Sequence, residues 1–107
     1  MRFSEKDIKR LSYKQRAKII RFVLKRKCRT LSVRLGRGTA YGCIEIRGSG
    51  KDGELTNDEM KALKWFGIGF GKYGTVILFD ETAYWVKRAV ELDPEAEALL
   101  IAELIKT

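Results

Sequence analysis

The sequence contains no histidine, and that absence removes a large share of enzyme chemistry. Without imidazole the chain lacks the side chain that ordinarily titrates near neutral pH, along with Ser-His and Cys-His nucleophile pairs and most zinc sites. Cysteine is scarce: Cys28 and Cys43 show no C-x-x-C spacing, so they read as buried or idle thiols in a reducing compartment rather than as a disulfide framework. No apolar run approaches the ~20 residues that cross a bilayer. The opening MRFSEKDIKR has no apolar stretch behind its charges, unlike a secretory signal. The expectation is a cytoplasmic chain with no membrane association, no catalytic residues, no cofactor and no metal.

What is present is positive charge, unevenly placed. The 107 residues carry a net charge of +8. Residues 1–47 hold 15 Lys/Arg against Glu5, Asp7 and Glu45, whereas residues 48–107 hold 7 against 11 acids. Solubility needs a net charge but not such a split, so one face is expected to meet a polyanion.

The hydrophobic fraction of 45% suffices for one core in one domain spanning 1–107. Ser4 with Asp7, and Ser12 with Gln15, are helix-start signals, so residues 5–27 read as helix with a break near Ser12. Tyr13, Ala17, Ile20 and Leu24, with Ile19 and Val23 beside them, form its buried stripe. TLSVRL (30–35) and AYGCIEIR (40–47) alternate with period two around GRGT, which predicts a β-hairpin. A loop over 36–39 sets Leu35 opposite Ala40, Val33 opposite Gly42, Arg34 opposite Tyr41 and Thr30 opposite Glu45. Cys43 falls on the polar face in this reading. Thr56 to Glu59 is a capping box opening a helix through about Phe66. TVILF (75–79) is a short apolar run expected as a central strand. Residues 82–91 suit a helix, and Asp93-Pro94 starts a last one with a wide apolar face from Ala96 to Ile105. The fold class is therefore α+β, a small sheet packed by helices in the order α-β-β-α-β-α-α. The apolar excess of the last helix suggests a homodimer through that helix.

Three motif matches do not hold. GFGKYG (69–74) spells G-x-G-x-x-G, but it leaves a helix and enters a strand, the reverse of a dinucleotide cradle. Gly67 is instead placed as a left-handed helix cap. A calcium loop anchored on Gly53 would put Gly48 and Gly50 where oxygen ligands are required. GKYGTVILF lacks the strand aromatics of an RNA-recognition motif. Asp80 and Glu81, after the apolar strand, offer carboxylates at a strand end; they read more simply as the start of the next helix.

Lys14, Lys18, Arg21 and Lys25 remain, stepping by four, three and four along one helical face for about 16 Å at ~1.5 Å per residue. Arg26, Lys27 and Arg29 thicken its C-terminal end. No acid lies between Lys9 and Lys27, so the row repels itself unless an anion offsets it. Arg34, Arg37, Tyr41 and Arg47 on the hairpin, and Lys72 in the glycine-rich loop, are placed to join it. The expected partner is nucleic acid, DNA or RNA, held mainly by phosphate contacts with low sequence specificity. The alternative is an acidic protein partner docked on the same basic face.

The basic helix running into LSVRLGRGTAYGCIEIR, residues 12–47, resembles small domains of the large polyvalent proteins of phages and plasmids, in which a helix precedes a hairpin with an S-V-R strand and a glycine-rich turn. The resemblance implies a mobile-element setting and carries no catalytic residue across.

Overall fold

The computed structural model describes residues 3–36, 43–69, 76–78 and 82–107. Two capped helices open the chain, α1 (Glu5–Ile8) and α2 (Tyr13–Lys27). The break between them arises because Ser12 starts a new helix rather than continuing the old one. Its Oγ accepts from the Gln15 N–H at 3.2 Å, and its own N–H donates to Gln15 Oε1 at 2.8 Å. Ser4 and Asp7 form the same reciprocal box at the start of α1. Each box satisfies donors that a helix start otherwise leaves unpaired.

Strands β1 (Ser32–Leu35) and β2 (Ile44–Arg47) follow, then α3 (Asn57–Phe66), β3 (Val76–Leu78), α4 (Thr82–Leu92) and α5 (Glu95–Lys106). This is the expected α+β order. Gly67 ends α3 at φ 97°, the left-handed cap its position foretold. Asp93 Oδ1 accepts from the Glu95 N–H at 3.2 Å, anchoring the first turn of α5 as its place before Pro94 suggested.

The sheet departs from the sequence reading in two respects. Its order is β1-β2-β3, antiparallel throughout, so β2 is central and the apolar run supplies an edge. Ile77, paired with Glu45 on the outer face, stands 42% exposed, while Val76 and Leu78 on the inner face are buried. The β1–β2 register is also displaced by four residues. Leu35 lies opposite Ile44, Arg34 opposite Glu45, Val33 opposite Ile46 and Ser32 opposite Arg47. Alternation cannot distinguish these registers, since sliding by an even number leaves every side chain on its own face. The observed one opposes Arg34 to Glu45 with an Nη2–Oε1 distance of 3.6 Å and stacks buried Val33 on buried Ile46; cross-strand pairs of both kinds stabilise a sheet. Cys43, expected on the polar face, is fully buried just before β2. Both cysteines are free.

The inner face of the sheet packs with the apolar side of α2. Ile19, Ile20, Val23 and Leu24 meet a core that includes Val33, Ile44, Ile46, Leu63, Phe66, Val86, Ala89 and Leu100. Helix α2 thus has β1 on one flank and α5 on the other, which leaves its Lys14–Lys18–Arg21–Lys25 face outermost. Trp85 stacks on Phe66 at 5.6 Å, whereas Tyr84 is exposed, so of these adjacent aromatics only one turns inward. Asp80 and Glu81 are outside the described residues.

Candidate nucleic-acid interface

The helical periodicity of α2 buries Ala17, Ile20 and Leu24, and it sends Lys14, Lys18, Arg21 and Lys25 to the exposed side. Two depressions lie along that side. An open groove of ≈ 680 Å³ is lined by Lys18, Arg21, Phe22, Lys25, Arg26, Arg29 and Leu99. A second, of ≈ 410 Å³, lies toward β1 and includes Lys14, Lys18, Arg21 and Arg34. Because Lys18 and Arg21 line both, the two form one basic surface running from the end of β1 along α2. The structure therefore brings together Lys14, Lys18, Arg21, Lys25 and Arg34.

The other four predicted residues are not part of this grouping. Arg47 shares the outer sheet face with Arg34, but its Nε lies 3.7 Å from Glu45 Oε1 and its Nη2 donates to the Asp52 carbonyl at 3.3 Å. These contacts fold it over Gly53, where an added Cβ would meet the Arg47 Nε at 2.7 Å. Arg47 lines neither groove. Arg37, Tyr41 and Lys72 lie outside the described residues.

The row is also less uniform than its spacing implied. Lys18 Nζ donates to Glu103 Oε1 at 2.7 Å. Glu103 is buried, 3% exposed, and also accepts from Gln15 Nε2 at 3.2 Å. The Lys18 hydrogen bond holds the Glu103 carboxyl below the ordinary carboxylate range, with burial opposing it and Gln15 and Lys106 assisting. Arg21 Nε donates to the Val33 carbonyl at 2.8 Å and so ties α2 to β1. Arg26 Nε sits 3.0 Å from Asp93 Oδ2, and its Nη1 pairs with Glu95. Acids from the last helix and its entry turn thus offset part of the repulsion along α2. Lys14, Lys25 and Arg29 make no ion pair with any described residue. Together with Arg21, whose contact is to a neutral carbonyl, they are cations of this face without an acidic partner among the described residues, available to an external anion.

One consequence is measurable. Glu103→Gln removes the internal counterion of Lys18, which already lines both grooves, and leaves its full charge to an external anion. A loss of thermal stability is expected, most evident above the ordinary carboxylate pKa, where the parent carries the charge. Affinity for a polyanion should rise several-fold, with the salt slope steeper by about 0.7. Equal or weaker binding by this variant would place Lys18 outside the contact surface.

Phe22, Arg26, Arg29 and Leu99 were not among the predicted site residues. A signal for Phe22 exists in the sequence: it stands four residues after Lys18 and three before Lys25, a lone aromatic on a charged helical face. Leu99 has no such signal, since its place depends on how α5 packs.

Elsewhere on the surface, Phe3, Asp7, Arg10, Ile101, Leu104 and Ile105 line a third depression of ≈ 370 Å³, with Ile105 78% exposed. Among the described residues no His/Cys/Asp/Glu group could hold a metal ion, and no helix is long and apolar enough to cross a membrane. Comparison with protein-family models, with curated proteins and with solved structures finds no match to this chain.

Proposed function

We propose that this chain is a non-enzymatic binding domain whose α2 face holds the phosphate backbone of nucleic acid. The observation that carries the reading is the continuity of the two basic grooves, in which Lys14, Lys18, Arg21, Lys25, Arg29 and Arg34 converge without an acid among the described lining residues. Among the described lining residues no group pairs donors and acceptors in the manner of a base-reading constellation, so the contact is mainly electrostatic and weakly specific. Helix α2 is seated on the core through Ile19, Ile20, Val23 and Leu24 and sets the backbone positions of its cations at helical spacing, which lowers the ordering cost of binding.

Titration of the full chain with a labelled oligonucleotide at 50 and 200 mM salt tests the proposal. Engagement of four phosphates gives a log–log salt slope of roughly −3, taking ~0.7 per contact on a single strand and ~0.9 on B-form DNA. That corresponds to an affinity loss of about fiftyfold or more across the interval. Binding that is absent at 50 mM salt, or indifferent to salt, would refute the reading. Tighter binding to a polyglutamate of matched charge would favour the acidic protein partner instead.

A further inference from the structure

The larger groove has a feature that charge attraction alone does not require. Its floor is apolar, formed by the half-buried Phe22 and Leu99. The guanidinium of Arg26 lies over the Phe22 ring, 5.3 Å from its centroid. Asp93 and Glu95 grip that guanidinium, which fixes its position and offsets its charge. Arg26 is therefore poorly suited to anchoring a phosphate; layered over the Phe22 ring, its planar guanidinium is itself a surface on which something flat can stack. Lys25 and Arg29 line the same groove without an acid partner among the described residues. The groove is thus two-sided in chemistry, with free cations for an anionic backbone and an apolar, planar platform for something flat.

A duplex offers such a surface its phosphates and sugars while its bases stay stacked inside; a single strand offers phosphates and exposed base faces together. We propose that the groove takes single-stranded nucleic acid, with phosphates along Lys18, Arg21, Lys25 and Arg29 and a base stacked against the Phe22–Arg26 platform. This rests on the phosphate-binding reading above and specifies its ligand. Lys18 to Lys25 spans about 10 Å of helix, room for only a few nucleotides, so the platform holds one base rather than a run.

The experiment uses the full chain and fluorescence anisotropy at one fixed salt concentration. The probes are oligo(dT), oligo(rU), a duplex of the same length, and an abasic oligonucleotide with the same number of phosphates. One of the single strands should bind more tightly than the duplex, the better of the two identifying DNA or RNA as the natural source. The abasic strand should bind about tenfold more weakly than oligo(dT), the scale of one lost stacking contact. Phe22→Leu, which keeps apolar volume but removes the ring face, should weaken oligo(dT) by a similar factor and the abasic strand by much less. Equal affinity of parent protein for oligo(dT) and the abasic strand overturns the stacking proposal while sparing phosphate binding, and so does a preference for the duplex. If none of the four probes binds, the underlying reading fails as well. The abasic comparison needs only parent protein and decides the matter even if Phe22→Leu misfolds.

Discussion

Reversing Lys14 and Lys25 together to glutamate is expected to weaken the proposed nucleic-acid binding by at least about a hundredfold while leaving the fold intact. Charge-assisted hydrogen bonds contribute roughly 1.5 kcal/mol each or more, and two of them at 1.4 kcal/mol per decade give that factor. Repulsion from the two new carboxylates adds to it. The salt slope should become shallower by about 1.4, two single-strand contacts' worth. The choice of residues matters. Lys18 and Arg21 stand in the middle of the row and are the obvious targets on spacing alone, but reversing them would break the Lys18–Glu103 pair and the Arg21–Val33 hydrogen bond. A loss of binding would then be confounded with a loss of structure. Lys14 and Lys25 are exposed and make no ion pair with a described residue. Their helix-dipole effects also oppose each other. Glutamate in the first turn of α2, which holds no acid, gains ~0.3–1 kcal/mol, and glutamate in the last turn loses a similar amount. Melting temperature should stay close to the parent's. Unchanged affinity in the double variant would remove α2 from the interface.

Two kinds of information separate what the sequence revealed from what it concealed. The local signals were legible. Ser12 and Gln15, Thr56 and Glu59, Gly67, and Asp93 with Pro94 each mark a helix end through contacts a few residues apart, and each marks it correctly. The exposed face of α2 was legible for the same reason, because 3.6-residue periodicity decides which residues turn outward. The pairing of that face was not. Glu103 lies 85 residues beyond Lys18 and Glu95 lies 69 beyond Arg26, separations at which charge pattern along the chain carries no signal. The hairpin register failed for a subtler reason: an even slip preserves the alternation from which it was read. The edge position of β3 was hidden because strand order is set by pairing partners distant in the chain, which an apolar run does not name.

Glu59 shows both kinds at once, and its removal is expected to produce a stability change as large as that of truncating a core residue. As the third residue of α3 its reciprocal box with Thr56 is a local, legible feature: its carboxylate accepts from the Thr56 N–H at 2.8 Å. The carboxylate is nevertheless completely buried and gathers distant donors as well. Thr30 Oγ1, between α2 and β1, donates at 2.6 Å, and the Ser49 N–H donates to both oxygens at 3.0 and 3.1 Å. One charge thus fastens the start of α3, the loop after β2 and the approach to β1. Burial alone would raise its pKa. The hydrogen bonds from Thr30, Thr56 and Ser49 together outweigh burial and bring it from an ordinary 4.5 down to about 2.

A depressed carboxylate pKa stabilises the folded state above the unfolded value and ceases to do so as pH falls through the folded one. At 1.36 kcal/mol per unit the difference amounts to about 3 kcal/mol, present in full near neutrality and lost between roughly pH 4.5 and 2. Glu59→Ala should therefore cost about 3–5 kcal/mol at pH 7, since it also strands buried backbone N–H groups. Glu59→Gln should cost less, because one oxygen remains to accept while the new amide faces groups that are themselves donors. Urea denaturation of the parent and both variants between pH 3 and 7 provides the check. The parent's stability should fall on acidification by more than that of Glu59→Gln, and the two curves should converge toward pH 3. A Glu59→Ala protein within 1 kcal/mol of the parent at pH 7, or curves that stay parallel across the range, would mean that the buried charge does not hold these three segments together.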